Sequence, residues 1–248
     1  MYRSLVLSPP GSPARSLASQ EIEPLRMTAP TPSTRTLDLY DKLREDLLCG
    51  RLKPGQKLQM RFLMEAYQAG QTPLREALNR LTSEGLVQSR EQRGFIVSPV
   101  SKAELQELTM TRCWLEGLAL GKSMEAATPE WEEALVVAHH RLARTPRSLN
   151  PEQFEDNPDW ERLHRIFHRT LISQCGSASL VGFCDHLADQ LYRYRRVSIR
   201  RVFSTRRIGD EHQAILTAVL DRAADRAVQL LEKHYQDTAD VLLDDPAF

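Results

Sequence analysis

The stretch "TPLREALNRLTSEGLV", residues 72–87, decides the fold of the first half of the chain. Thr72 and Pro73 are typical of the N-cap and first position of a helix, and Gly85 is a typical stop. The apolar residues between them share one helical stripe: Leu74, Ala77, Leu78 and Leu81. The short apolar run after the glycine predicts that the chain leaves this helix directly into a strand.

The residues on either side of this helix complete a known arrangement. Two further helices are predicted upstream, in residues 36–50 and 58–70, with the second closed by Gly70. Downstream, residues 86–100 predict a hairpin with a polar turn at 91–94. Three helices and a hairpin describe a winged helix-turn-helix, which we assign to residues 35–99. Residues 1–34, rich in Pro and Ser, are predicted to be a disordered tail, and Met27 is an alternative start.

A winged helix-turn-helix would bring defined residues to DNA, because the N-terminal end of its second helix enters the major groove. Gln71, Thr72 and Arg75 are predicted at the base edges, and Arg61 at the phosphate backbone. Arg93 and Gly94 would form the tip of the wing. Periodicity alone leaves open a small helical domain whose arginines are only solvated.

Composition and charge favour a two-part protein without a membrane span. The net charge is zero, but the two parts of the chain differ in charge. Residues 35–99 contain 11 basic and 8 acidic residues, and residues 100–248 contain 19 basic and 23 acidic residues. No apolar run reaches the roughly 18 residues of a membrane helix. The four cysteines form no C-x-x-C pair, which is typical of reduced thiols in a cytoplasmic protein.

The second half, residues 100–244, predicts about six helices in an antiparallel bundle and no strand. Ser101 and Glu104 have the spacing of a capping box at the start of the first of these helices. A wide apolar face follows in that helix, and we expect Trp114 and Leu118 to be buried with it. The fold class is therefore mainly α, with a winged helix-turn-helix before an all-α bundle.

Histidines lie on several apolar faces of this predicted bundle. His164 and His168 share one face of a helix, His212 begins the apolar face of another, and His234 follows two leucines. Converging imidazoles suit zinc, nickel, iron or copper better than magnesium or calcium. An accidental pair at this spacing stays an alternative. Asp159 and Glu161 are predicted to lie off the His164/His168 face. Three other histidines are assigned to the surface: His139, His140 and His186.

Residues 72–87, with "LKPGQKL" at 52–58 before them and "RGFIVSPVS" at 93–101 after them, resemble the DNA-binding domain of GntR-family bacterial transcription regulators. The resemblance implies that Arg61 and Arg75 contact DNA. Where related proteins often have an arginine, this chain has Gln71. Since arginine suits guanine and glutamine suits adenine, we expect a different operator half-site.

"TMTRCWLEGLAL", residues 109–120, resembles the R-x-x-L-E-x-x-A signature of the FCD domain of the FadR subfamily. Many members hold a metal with an aspartate, a histidine four residues later and two further histidines. The resemblance implies a metal site in which "HRIFH" at 164–168 replaces the aspartate by histidine, and "EHQAIL" and "LEKHY" supply the other two ligands. The implied ligands are His164, His168, His212 and His234.

The same resemblance implies a repressor that works as a homodimer on a palindromic double-stranded DNA operator. We expect a divalent transition metal, zinc or nickel, and a small carboxylate effector. Four neutral imidazoles leave the ion's charge uncompensated, which favours an anionic ligand. Arg112 is the first candidate to bind the effector carboxylate, with an ion pair to Glu116 as the alternative. The other arginines of residues 193–201 are assigned mostly to a solvated face.

Two other classes of function compete with this interpretation. One is a metal-dependent hydrolase fused to a DNA-binding domain, and the other is a DNA-binding dimer without an effector. Arg165 stands where a zincin has its catalytic Glu, and neither a G-x-S-x-G elbow nor a phosphate-binding glycine loop occurs. The sequence therefore favours a regulator over an enzyme.

Overall fold

A computed structural model describes residues 34–90, 94–150, 152–202 and 206–244. The first half contains three helices and a three-stranded antiparallel sheet of order β1-β3-β2. In chain order the elements are α1 (Thr34–Leu48), β1 (Lys57–Leu58), α2 (Met60–Ala66), α3 (Gln71–Ser83), β2 (Val87–Arg90) and β3 (Gly94–Val97). The predicted winged helix-turn-helix is confirmed, and β1 is an additional strand that the sequence analysis missed.

One apolar face of each helix forms the core of this half. The predicted stripe of α3 is buried, and it packs against residues of α1 and α2 that include Leu43 and Leu63. The sheet adds Phe95 and Val97 from β3. Complete burial of a leucine side chain contributes about 1.5–3 kcal/mol, so this small core is sufficient to orient α3.

The start of α3 differs from the prediction in one detail. The N-cap is Gly70, in extended conformation, and the helix begins at Gln71 with Thr72 inside its first turn. No side chain caps this end by a hydrogen bond. Gly70 therefore belongs to the start of α3 and does not close α2, which ends at Ala66. The first turn of α3 presents backbone N–H groups beside the exposed side chains of Gln71 and Thr72.

The second half is the predicted helical bundle. Its helices are α4 (Lys102–Glu125), α5 (Pro129–Arg144), α6 (Pro158–Leu171), α7 (Ala178–Val202), α8 (Ile208–Leu220) and α9 (Ala224–Leu243). Ser101 caps α4 by accepting a hydrogen bond from the Glu104 backbone N–H at 3.2 Å. Asn157 caps α6, with Pro158 at its first position. This cap fixes the start of the helix that carries His164 and His168.

The apolar face of α4 is only partly buried, which corrects the prediction. Cys113, Ala119 and Leu120 enter the bundle core, whereas Trp114 is 61% and Leu118 55% exposed. Together with Met110, these residues recur every four positions, so they form one exposed apolar stripe. An apolar stripe of this kind is typical of an interaction surface.

Helix α7 joins the two halves. Gln190 donates a hydrogen bond through Nε2 to the Glu84 carbonyl at 2.6 Å, and Arg193 donates to the Ser98 carbonyl. Arg196 donates to the Cys49 carbonyl at 3.4 Å. The predicted solvated face is therefore wrong for the arginines of α7 whose side chains the structure describes. Arg193 and Arg196 hold the bundle to the DNA-binding half, and Arg195 pairs with Glu161 within the bundle. Across the described ranges, no helix combines the length and the apolar character needed to cross a membrane.

Candidate functional site

Four histidines from three helices converge in the bundle. His164 and His168 come from α6, His212 from α8 and His234 from α9. One ring nitrogen from each lies within 4.8 Å of the others. His168, His212 and His234 are buried, and His164 is half-buried at the wall of a cavity. His139, predicted at the surface, is instead buried, with its ring centroid 5.6 Å from that of Phe167.

The spacing of the ring nitrogens fits a metal ion. The Nε2 atom of His168 lies 3.1 Å from Nε2 of His164 and 3.3 Å from Nε2 of His212. A tetrahedral ion bound to nitrogen at about 2.0–2.1 Å separates neighbouring nitrogens by about 3.3 Å. Three or four imidazoles also form a donor set that suits a transition metal. The residues present therefore fit the ion that the sequence predicted.

Hydrogen bonds behind His168 orient its ring. The Tyr235 hydroxyl donates to Glu116, so its oxygen accepts from Nδ1–H of His168 at 2.9 Å. This arrangement leaves the proton on Nδ1 and the lone pair on Nε2, which faces the cluster. Tyr235 and Glu116 thus hold His168 in the tautomer that binds metal.

His234 has a second supporting network. Its Nδ1 lies 2.7 Å from Oε2 of Glu211, and a carboxylate there accepts the Nδ1 proton. Arg206 binds both oxygens of Glu211 and also donates to Thr238 at 2.6 Å. The lone pair of His234 Nε2 is therefore directed toward the other imidazoles. Carboxylates behind metal-binding histidines commonly fix the ring and increase its basicity.

His164 stands in a different environment. Its ring stacks on Trp160, with centroids 4.7 Å apart, and its Nδ1 lies 3.5 Å from Nη1 of Arg195. Arginine can only donate, so Nδ1 of His164 is the acceptor in this contact, and among the described residues no acceptor fixes a proton on it. Arg195 pairs in turn with Glu161. Glu161 precedes His164 by three residues and lies on the same side of α6, which corrects the prediction that it is off this face.

The four imidazoles are held in their neutral form. The pKa of each lies well below its usual value, first because burial disfavours the charged ring. Neighbouring positive groups lower each pKa further. Neutral histidines are the form that binds a metal ion, so no proton has to leave at neutral pH.

Arg112 makes the ion pair that the sequence analysis left as the alternative. Its Nε lies 2.6 Å from Oε1 of Glu116, and its guanidinium stacks 3.9 Å from the centre of the Tyr235 ring. Arg112 nevertheless lines the cavity beside His168. Its position is thus compatible with a role in binding an anion, although its charge already has one partner.

A cavity of about 530 Å³ adjoins the histidines. Eight arginines and six carboxylate side chains line it, which leaves two positive charges in excess. Its wall continues from the bundle to α1, where Arg44 and Leu48 contribute. A ligand in this cavity could therefore contact the metal site and the DNA-binding half at once.

A chain of ion pairs connects this cavity with α3. Asp189 of α7 pairs with Arg165 of α6 and with Arg44 of α1. Arg44 Nε lies 3.2 Å from Oε2 of Glu84, the C-cap residue of α3. Arg165 directly follows His164 in the sequence, so the chain runs from the histidine helix to the end of α3.

The residues predicted to contact DNA lie on an exposed face of the first half. Arg61, Gln71, Thr72 and Arg75 are all exposed, and so is Gly94 at the start of β3. Arg93 lies outside the described residues. Arg80, by contrast, packs over the Tyr40 ring at 3.7 Å and lies 3.7 Å from Glu84. The exposed set extends around the first turn of α3, as a recognition helix requires.

Comparison with known proteins identifies the family. Residues 35–97 match the bacterial regulatory proteins of the gntR family, and residues 107–237 match the FCD domain. The chain is 34% identical over 203 residues to the uncharacterized HTH-type transcriptional regulator BphR of Paraburkholderia xenovorans, covering 82% of this chain and 83% of that protein. The chain belongs to the GntR family.

Other GntR-family proteins agree with this assignment. The HTH-type transcriptional repressor GlaR of Escherichia coli is 32% identical, covering 80% of this chain and 91% of that protein. A solved GntR regulator from Rhodococcus superposes with a TM-score of 0.69 at 19% identity, over 85% of this chain and 98% of that one, which shows the shared fold. The protein is therefore a GntR-family transcriptional regulator with an FCD domain, and its winged helix-turn-helix implies DNA binding.

The four histidines were predictable from the sequence, but most of the groups around them were not. Glu211 and Tyr235 each stand next to a predicted ligand, yet their roles depend on contacts between different helices. Arg147 follows α5 and lines the cavity, with its guanidinium 5.6 Å from the Trp160 ring. Burial and Arg195 lower the pKa of Arg147 to about 10. Only the i+3 spacing of Glu161 could have been read from the sequence.

Proposed function

We propose that this regulator is a metal-dependent repressor that releases its operator when a small carboxylate binds beside the metal. The observation that carries the proposal is the histidine cluster in the wall of a positively charged cavity that reaches α1. Two relatives from Escherichia coli are named as the transcriptional repressors GlaR and RspR, which supports the direction of regulation.

The metal would be zinc or nickel, held by His168, His212 and His234, with His164 as a fourth ligand. When bound, it would supply a positive centre for an anionic oxygen. Arg112, Arg147 and Arg195 line the same end of the cavity and would orient the carboxylate. Glu116 and Glu211 are engaged by Tyr235 and His234, so neither is held as a general base. We therefore expect binding of the acid without turnover, unlike a metal-dependent hydrolase.

The direct test measures DNA binding of the metal-loaded protein by fluorescence anisotropy, with a duplex that the protein itself selects from a random pool. A carboxylate that binds the protein should lower the affinity of the protein for this duplex only when metal is present. A response that is the same after chelation would contradict the role of the metal. A protein that binds acid without any change in DNA affinity would contradict the repressor mechanism.

Arg75→Ala is expected to weaken binding to the selected duplex by about 1–3 kcal/mol, because we propose that Arg75 reads a base edge. Its side chain is exposed in the first turns of α3, so the fold should not change. Arg61→Ala is the matched comparison, since a phosphate contact contributes equally on any sequence. Fluorescence anisotropy with the selected duplex and with a scrambled duplex distinguishes a base contact from a phosphate contact. Equal losses on both duplexes for Arg75→Ala would mean that it contacts only the backbone.

Trp114→Glu is expected to convert a homodimer into a monomer at micromolar concentration. The exposed stripe of Met110, Trp114 and Leu118 is a suitable surface for a second copy, and a palindromic operator requires two copies. Burying a charge in such a contact is unfavourable. Sedimentation velocity is the measurement, and Phe62→Glu, an exposed aromatic residue of α2, is the control. A Trp114 variant that stays dimeric would show that the copies join elsewhere.

A further inference from the structure

The histidines occupy only one end of the cavity, which is larger than the smallest acids need. Its volume of about 530 Å³ lies in the range of sites for drug-sized ligands. Acetate, at about 30 Å³ for each water-sized group, would take only about 120 Å³. Most of the cavity would then remain filled with water beside apolar side chains.

Most of the surface that faces the cavity is apolar, although charged side chains contribute to its wall. Four helices of the bundle contribute side chains to it, and several belong to the hydrophobic clusters of the protein. These apolar side chains include Leu105, Ile172, Cys184, Leu191, Ile208, Ala239 and Leu242. A polar ligand body in contact with this wall would lose hydrogen bonds to water without replacement. An apolar body would gain free energy from the same contact.

The charged side chains of the cavity give little opportunity for a second carboxylate. Arginines that line the cavity pair with carboxylates of the chain: Arg44, Arg112, Arg162, Arg165, Arg169, Arg195 and Arg206. A second ligand carboxylate would have to compete with these ion pairs. Arg147 lies near Trp160 and therefore at the histidine end, where the first carboxylate would bind.

We infer that the effector is a monocarboxylate with an apolar body of about the size of a phenyl ring. The inference rests on the proposed function, in which the metal and the nearby arginines bind the carboxylate. The ring or alkyl chain occupies the part of the cavity that these apolar side chains of the bundle line. Tyr192 also lines the cavity and provides an aromatic contact for such a body.

The test compares acids of matched size on the full-length, nickel-loaded protein. Phenylacetate and adipate have the same number of non-hydrogen atoms, but adipate replaces the ring by a short chain with a second carboxylate. Acetate is the third probe. Isothermal titration calorimetry is expected to give an affinity for phenylacetate at least about tenfold higher than for adipate or acetate.

Each result has a distinct meaning. Adipate binding as tightly as phenylacetate would overturn the inference and leave the proposed function in place. None of the three acids binding to metal-loaded protein would overturn both. Leu191→Asn, at a half-buried position of the wall, should lower the affinity for phenylacetate and leave that for acetate unchanged. A thermal unfolding curve checks that this variant is folded, and equal losses for both acids would place the ring elsewhere.

Discussion

Replacing His168 by alanine is expected to abolish metal binding while leaving the winged helix-turn-helix folded. His168 lies at the centre of the cluster, with Nε2 of both His164 and His212 within 3.3 Å. It also has the hydrogen-bond network of Tyr235 and Glu116 behind it. Loss of a supporting partner alone costs about 10–100-fold in metal affinity, so loss of the ligand should cost more than about a hundredfold.

Elemental mass spectrometry of the purified protein gives the metal content, expected at about one ion for each chain. His140→Ala is the matched control, because His140 is an exposed histidine of α5 that is not in the cluster. Tryptophan fluorescence is a second measurement of metal binding. Trp160 stacks on His164, so nickel or copper bound at the cluster should quench the fluorescence of Trp160. Undiminished metal in the His168 variant would rule out the site.

His164→Ala should have a smaller effect than His168→Ala. The Nδ1 of His164 faces Arg195, whereas His168 and His234 each have an acceptor that fixes the proton on Nδ1. The three remaining histidines can still hold an ion with an open position for a ligand. Equal losses in the two variants would make His164 an equivalent fourth ligand.

Local signals in the sequence were sufficient for most of the fold. The stripe of α3 and the cap at Ser101 depend only on neighbouring residues, and the structure contains them as predicted, apart from the position of the α3 N-cap. Strand β1 was missed because two residues cannot display an alternating pattern. Trp114 was wrongly predicted to be buried. The periodic spacing of apolar residues along a helix does not show whether an apolar face packs within its own chain or stays exposed.

The candidate site was predictable only where one helix supplies the pattern. The i, i+4 spacing puts His164 and His168 on one face of α6 whatever the rest of the fold does. The convergence of His212 and His234, and the hydrogen bonds from Glu211 and Tyr235, depend on how α8 and α9 pack. For the same reason, no pattern in the sequence could show that Asp189 links α6 with α1.

Asp189→Asn is expected to uncouple ligand binding from DNA binding. Asp189 pairs with Arg165 from the histidine helix and with Arg44 from α1, and Arg44 continues to Glu84 at the end of α3. Asparagine keeps the volume but loses the charge and offers an N–H group where a carboxylate oxygen stood. Since both arginines are partly exposed, the stability loss should stay near 1–2 kcal/mol.

The measured quantity is the ratio of operator affinities without and with the acid that binds most tightly. A coupling of 1–3 kcal/mol gives a ratio of about 5–150 in the unmodified protein, and the variant should reduce it to less than about threefold. Metal content and affinity for the acid should change little, because Asp189 contacts neither the histidines nor the groups around them. A variant that is merely unfolded would lose all of these properties together.

Asp185→Asn is the matched control for this prediction. Asp185 lies one turn earlier in α7 and pairs with Arg169 of α6 at 3.3 Å, so it forms the same kind of contact between the same two helices. It makes no ion pair to α1 within the residues that the structure describes. If both variants reduce the ratio equally, the coupling comes from α6–α7 packing in general. If only Asp189→Asn reduces it, the ion pairs through Arg44 carry the signal, because that connection is what the two positions do not share.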